Sequence, residues 1–116
     1  MDRVCVVFPN LPGKTEDARA FQRELDTDRK ADYARSERAI GITKELWYIA
    51  SLPSGDHFVA YMESTDFAKA LGQFAQSKDE FDLWFKGRLN GVTGVDLNSP
   101  PPDMRLPELV SSYEAG

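Results

Sequence analysis

Two strand-then-helix units joined through a hairpin dominate this chain, and few folds accept that order. Residues 3–8 form a β run, and residues 15–40 carry apolar positions at helical spacing. Residues 42–64 read as two strands around Pro53-Ser54-Gly55-Asp56, and residues 66–92 are helical again. A β-α-β-β-α order within one domain's length predicts an α+β, ferredoxin-like βαββαβ sandwich, an antiparallel sheet with helices on one face. The other face of such a sheet needs a partner, a ligand or water.

The length of 116 residues suits one domain with a real core and is too short for two. The net charge is −5, and basic residues alternate with acids in Arg29-Lys30-Ala31-Asp32 and Arg35-Ser36-Glu37-Arg38. No basic patch for nucleic acid results. No apolar leader region or long apolar stretch is present, so no membrane partner is expected and the predicted location is cytoplasmic. Cys5 stands alone in an apolar strand and is expected to be a buried, reduced thiol. One histidine, one cysteine and scattered acids offer no metal-ligand spacing. No cofactor is implied either: Gly13-Lys14-Thr15 lacks the upstream glycine of a phosphate loop, and no nucleophile elbow can be read.

Val4-Cys5-Val6-Val7-Phe8 is expected to be a central strand buried on both faces. Pro9-Asn10-Leu11-Pro12-Gly13 turns the chain, and Thr15 is expected to cap the next helix. Ala18, Phe21 and Leu25 follow in one stripe until Asp26-Thr27-Asp28-Arg29-Lys30 interrupts it, which predicts a bend, with Gly41 as the C-terminal cap. Phe67, Leu71 and Phe74 form a second stripe, and Phe81, Trp84, Phe85 and Leu89 a third. Between them Ser77-Lys78-Asp79-Glu80 matches a capping box, so helices near 66–76 and 78–90 are expected, kinked at Ser77. Residues 95–107 hold four prolines and read as extended. Leu109-Val110-Ser111-Ser112-Tyr113 reads as the fourth strand the plan needs, although Pro107-Glu108 could open a short helix. The single domain 1–116 thus divides into a core at 2–97, a Pro-rich extension at 98–107 and a last strand at 108–114.

A two-residue turn at Ser54-Gly55 would pair Leu52 with His57, Ala50 with Val59, Tyr48 with Tyr61 and Leu46 with Glu63. Alternation then places these eight on one face and Trp47, Ile49, Phe58, Ala60 and Met62 on the apolar, helix-covered face. The leftover face takes either Arg3, Cys5 and Val7 or Val4, Val6 and Phe8 from the first strand, and Arg3 would suit its polar end. A three-residue loop would instead set Trp47 and Glu45 beside Tyr61 and Glu63.

The order of elements, with Trp84-Phe85-Lys86 late in the second helical region and Val92-Thr93-Gly94-Val95-Asp96-Leu97 after it, resembles the dimeric α/β-barrel superfamily. Within it the chain is similar to small bacterial branches related to the stress-responsive barrel proteins and the antibiotic-biosynthesis monooxygenase-like proteins. The resemblance covers residues 2–97 and implies a homodimer in which two sheets face each other and enclose a pocket. Members range from cofactor-independent monooxygenases and haem-degrading enzymes to proteins without known activity, so fold does not settle function. The haem-degrading branch uses a helix histidine as its iron ligand. Here neither helical region holds a histidine, and His57 lies in or beside the hairpin turn.

His57, the sole imidazole, could act as a general base near neutral pH, or be a plain surface hairpin residue. Tyr48, Tyr61 and Glu63 make the better cluster, two phenols and a carboxylate able to orient a small polar aromatic ligand, with Arg3 at their polar end. Alternatively the tyrosines pack across a dimer interface while Glu63 pairs with Lys44 or an arginine. Trp84 and Phe85 read as packing, and Tyr33, Arg35 and Arg38 as the ring of a pocket mouth or a solvated face. The function expected is a homodimer, formed through the sheet face, that binds a small, partly apolar organic molecule between sheet and helices. Cofactor-independent oxygenation or proton transfer would follow, with Glu63 or His57 as base and Tyr48, Tyr61 and Arg3 binding the ligand. The alternative is a non-catalytic structural or regulatory dimerisation module.

Overall fold

One strand paired antiparallel on both sides organises the chain. The structure, a computed structural model, describes residues 1–101 and 106–116. Strands β1 (Asp2–Pro9), β2 (Ile42–Leu52) and β3 (Gly55–Ser64) form an antiparallel sheet in the order β1-β3-β2. Helices α1 (Thr15–Asp26) and α2 (Lys30–Ala39) link β1 to β2, and α3 (Phe67–Gln76) and α4 (Glu80–Thr93) follow β3. The fold class is α+β, as the element order predicts.

The strand β1 is not the central strand its composition suggested. Val6 and Phe8 are 4% exposed beneath the helices, whereas Val7 is 45% exposed on the opposite face. The run alternates because helices cover only one face of the sheet, in which β1 is an edge strand and β3 the middle one. Cys5 shares Val7's side and is half-buried rather than buried. The hairpin turn also moves: Leu52 pairs with Gly55, so Pro53-Ser54 is the turn. Proline fixes φ for the first turn position, and Gly55 then takes a φ of 123°. The pairs become Ala50–His57, Tyr48–Val59, Leu46–Tyr61 and Lys44–Glu63. Each partner shifts by two residues, which preserves parity, so the two faces hold the residues expected of them. An irregularity between Ile42 and Lys44 lets Ile42 turn inward to 8% exposure.

The helices break where the polar runs lie, but their caps differ from expectation. Lys14 is the N-cap of α1 and makes no side-chain cap bond. Thr15 is the first helical residue, and its hydroxyl donates to Asp56 Oδ2 at 2.6 Å, fastening α1 to the hairpin. At α4 the cap is Asp79, which accepts from the Phe81 N–H at 3.2 Å. Ser77 instead ends α3, accepts from the Asp79 N–H at 3.2 Å and donates to Asp82 Oδ2 at 2.6 Å. A serine that already holds the α3–α4 bend is not available to open α4.

The Lys86 side chain is fully shielded from solvent. Its ammonium donates to the carbonyls of Phe74 at 2.7 Å, Ser77 at 3.0 Å and Ala75 at 3.3 Å. These carbonyls lie at the end of α3, where that of Phe74 also accepts from the Ser77 N–H at 3.2 Å, and three donors of the ammonium meet three acceptors. Burial still holds the Lys86 pKa below its ordinary value. The contact locks the end of α3 onto α4, around a core that includes Phe21, Phe58, Phe81 and Leu89.

Residues 106–116 form neither strand nor helix, so neither the fourth strand expected at 108–114 nor the helix at Pro107-Glu108 is present. Leu109, Val110 and Tyr113 are 73%, 83% and 87% exposed. Prolines 100, 101 and 107 have no N–H to give a ladder. The tail meets β1 through a side-chain ion pair between Glu114 and Arg3. The Pro-rich extension at 98–107 falls partly on residues 102–105, outside the described residues.

Ile40, not Gly41, is the C-cap of α2; Gly41 follows it with φ 80°, and a Cβ there would lie 2.6 Å from Thr65 Oγ1. Gly13 has a similar φ of 78° but open space around it. Gly13→Ala is expected to cost about 1–2 kcal/mol for the left-handed backbone alone. Gly41→Ala should cost about 0.5–1.5 kcal/mol more, the scale of forcing Thr65 off its rotamer. Urea unfolding reads both, and the excess should vanish in a Thr65→Ala background.

Candidate functional site

The uncovered face of the sheet carries the residues singled out from sequence. Arg3, Cys5 and Val7 of β1, Lys44, Leu46 and Tyr48 of β2, and His57, Val59, Tyr61 and Glu63 of β3 share it. The Tyr61 hydroxyl donates to Glu63 Oε2 at 2.7 Å, a bond that raises the tyrosine's pKa. Arg3 and Lys44 stand opposite Glu63 in the two ladders, although the Arg3 guanidinium pairs with Glu114. Tyr48 is 57% exposed and diagonal to Tyr61. His57 sits at the far end, its Nδ1 3.0 Å from the Gly55 carbonyl. It is six positions from Glu63, roughly 20 Å along an extended strand. The structure therefore brings Arg3, Tyr61 and Glu63 together and leaves His57 apart.

A partly open cavity lies behind the sheet, and none of those five residues lines it. Val6, Phe8 and Met62 of the sheet face Ala70, Leu71 and Phe74 of α3 and Phe85 of α4 around a cavity of about 60 Å³, taken as room for the centres of water-sized spheres. Trp47 forms part of its wall and meets Phe85 with ring centroids 6.1 Å apart. Among the described residues that line it only two are ionisable, Glu37 from α2 and Glu45 from β2.

These two carboxylates are the polar end of the cavity. Glu45 Oε2 accepts from Trp47 Nε1 at 2.9 Å and from the Tyr33 hydroxyl. Glu37 Oε2 is shut off from solvent and, with both groups ionised, has no donor to bond. A proton on Glu37 removes the conflict, because the acid can then donate to Glu45. Burial foremost, then the charge and hydrogen bond of Glu45 and the charge of Asp82, push the Glu37 pKa up to about 10. The Tyr33 hydroxyl is likewise pushed well above its ordinary range by burial and by Glu45. Glu37 therefore keeps its proton at neutral pH, while Glu45 accepts from Tyr33 and Trp47.

Glu37, Ile42 and Glu45 also line an outer groove with Tyr33, Lys30 and Lys44, so the pair stands in the wall between cavity and solvent. Of the three residues considered for a pocket mouth, Tyr33 reaches this place, whereas Arg35 pairs with Asp79 at 3.3 Å and Arg38 is exposed. The acid pair lies outside the residues that the sequence pattern singles out. Its signal was Glu45 at the parity of Trp47 and Ile49, facing Glu37 one helical turn beyond Tyr33.

No protein-family model matches the sequence, and no curated protein matches it significantly. The fold, however, is found among solved structures. Tetracenomycin F2 cyclase from Streptomyces glaucescens, a type-II polyketide cyclase, superposes with a TM-score of 0.60 at 16% identity, over 100% of both chains. The likeness shows a shared α+β barrel-type fold. Among the described residues no helix is long and apolar enough to cross a membrane.

In the folded protein Glu37 keeps its proton at pH values where the unfolded chain has lost it. Stability should then fall as pH rises from about 5 toward 10, by at most about 1.4 kcal/mol per unit. Glu37→Gln should flatten that slope, as measured by urea unfolding across this range. An unchanged slope would mean that Glu37 is ionised in the folded state.

Proposed function

We propose that this chain binds a small, partly apolar organic molecule in the cavity between sheet and helices and moves a proton on it without a cofactor. The observation that carries the reading is the acid pair: an apolar cavity whose ionisable lining residues are Glu37 and Glu45. A pair with one proton and one charge can do two halves of an enolisation. The carboxylate takes a proton from the carbon beside a carbonyl, that bonding pair becomes the new double bond, and the acid gives its proton to the carbonyl oxygen. Ring closure of a polyketide-type chain needs such steps, which agrees with the activity of the cyclase that shares the fold. Glu63, His57, Tyr48, Tyr61 and Arg3 are then not the reacting groups.

The open face fits a second copy of the chain. Val7, Leu46, Tyr48 and Leu52 are 43–57% exposed and share this face. An isologous contact would bury them and place Arg3 and Lys44 where a partner's Glu63 can pair with them. In this reading Tyr48 and Tyr61 are interface anchors.

Sedimentation velocity should give a dimer, and Leu46→Lys with Tyr48→Lys should give a folded monomer. A wild-type monomer would sink the interface. For the pocket, calorimetric titration with phenol is expected to show one site per chain. Ala70→Leu, which fills the cavity from α3, should remove that site while keeping the melting temperature within a few degrees. Binding unaffected by the filled cavity would overturn the pocket assignment.

A further inference from the structure

Resting on the pocket reading just given, the size and charge of the cavity also limit what can enter it. The cavity's 60 Å³ is small beside the roughly 300–1,000 Å³ of pockets that take drug-sized ligands. That favours one six-membered ring with small substituents over a fused polycycle. Around the ring, Phe8, Phe74, Phe85 and Met62 offer only apolar contact. All polar recognition therefore falls to the end formed by Glu37 and Glu45.

That end carries a charge of its own. Glu45 faces the Tyr33 hydroxyl and Trp47 Nε1 as donors, Glu37 across from it, and Asp82 on α4 contributes further negative potential to Glu37. The lysines of this region, Lys30 and Lys44, line the outer groove and are not among the residues of the inner cavity. A ligand carboxylate pushed in beside the pair would meet negative charge, and among the described residues no cation lines the cavity to pair with it. A carbonyl or phenol oxygen would meet a carboxylic acid able to donate and a carboxylate able to accept. We infer that the cavity selects neutral, single-ring molecules bearing a carbonyl or phenol oxygen, and that the Glu37–Glu45 pair is what turns carboxylates away.

The test compares isosteres, so size stays constant while charge changes. Benzamide and benzoate are titrated into the wild-type protein by calorimetry at pH 7, with Ala70→Leu as the control for location. Benzamide is expected to bind at least tenfold more tightly than benzoate, and 2-naphthamide should bind more weakly than benzamide. In the Glu37→Gln/Glu45→Gln double variant the two single-ring affinities should converge to within about threefold through recovered benzoate binding. Equal affinities in the wild-type protein, with both ligands lost on filling the cavity, would overturn the selectivity and leave the pocket standing. If none of the three binds, the pocket reading and this inference fail together. Because the wild-type comparison needs no substitution at the pair, it decides the matter even where the double variant does not fold.

Discussion

Antiparallel pairing on both sides of β3 commits its residues alternately to two environments, and the rest of the molecule follows from that division. Phe58, Ala60, Met62 and Ser64 turn toward the helices and are at most 9% exposed. His57, Val59, Tyr61 and Glu63 turn the other way. Two neighbours hold the register, so a one-residue slip would break both ladders and exchange core for surface along the whole strand. The pocket and the open face are consequently separated by a single layer of backbone. Successive residues of β2 serve both: Glu45 and Trp47 reach the cavity, while Leu46 and Tyr48 lie on the open face.

The buried polar groups divide into two kinds, which is why one cluster is read as functional and the others are not. Lys86 spends every donor on the carbonyls at the end of α3. Asp82 accepts from Ser36 and Ser77 and ties α2 to the α3–α4 bend. Both are saturated, and a saturated buried ion stabilises one arrangement without offering a bond to anything else. Asn10, Gln22 and Glu37 differ in keeping a shielded polar atom without a partner, and of these three Glu37 lines the cavity, where a proton satisfies its oxygen. Holding a group in that state has a cost to stability at neutral pH, and the cavity beside it gives that cost a use.

Much of the fold was legible because it rests on periods of two and 3.6. The faces survived a misplaced turn since moving from Ser54-Gly55 to Pro53-Ser54 shifts partners by an even number. The break at Asp26-Thr27-Asp28-Arg29-Lys30 and the bend at Ser77 were visible as interruptions of apolar stripes. The environment of β1 was not, because Val4-Cys5-Val6-Val7-Phe8 is compatible with an edge or a centre until the fate of residues 108–114 is known. The open-face cluster could be assembled from one hairpin, a local object. The cavity needs the packing of α2, α3 and α4 against the sheet, and Glu37 and Glu45 look, residue by residue, like ordinary surface charges.

The position of β2 connects the two proposed roles. As an edge strand it has one ladder, to β3, and among the described residues no strand pairs with its outer side. Its inward residues Glu45 and Trp47 form the polar end of the cavity, where a hydrogen bond of 2.9 Å between them depends on backbone geometry two residues apart. Burying Leu46 and Tyr48 in a two-fold contact would fix the backbone between and beside those residues. The acid pair would then be set before a ligand arrives, and less ordering would be left for binding to pay for. A dimer interface on one side of this sheet is thus a physical means of preorganising a proton-transfer site on the other.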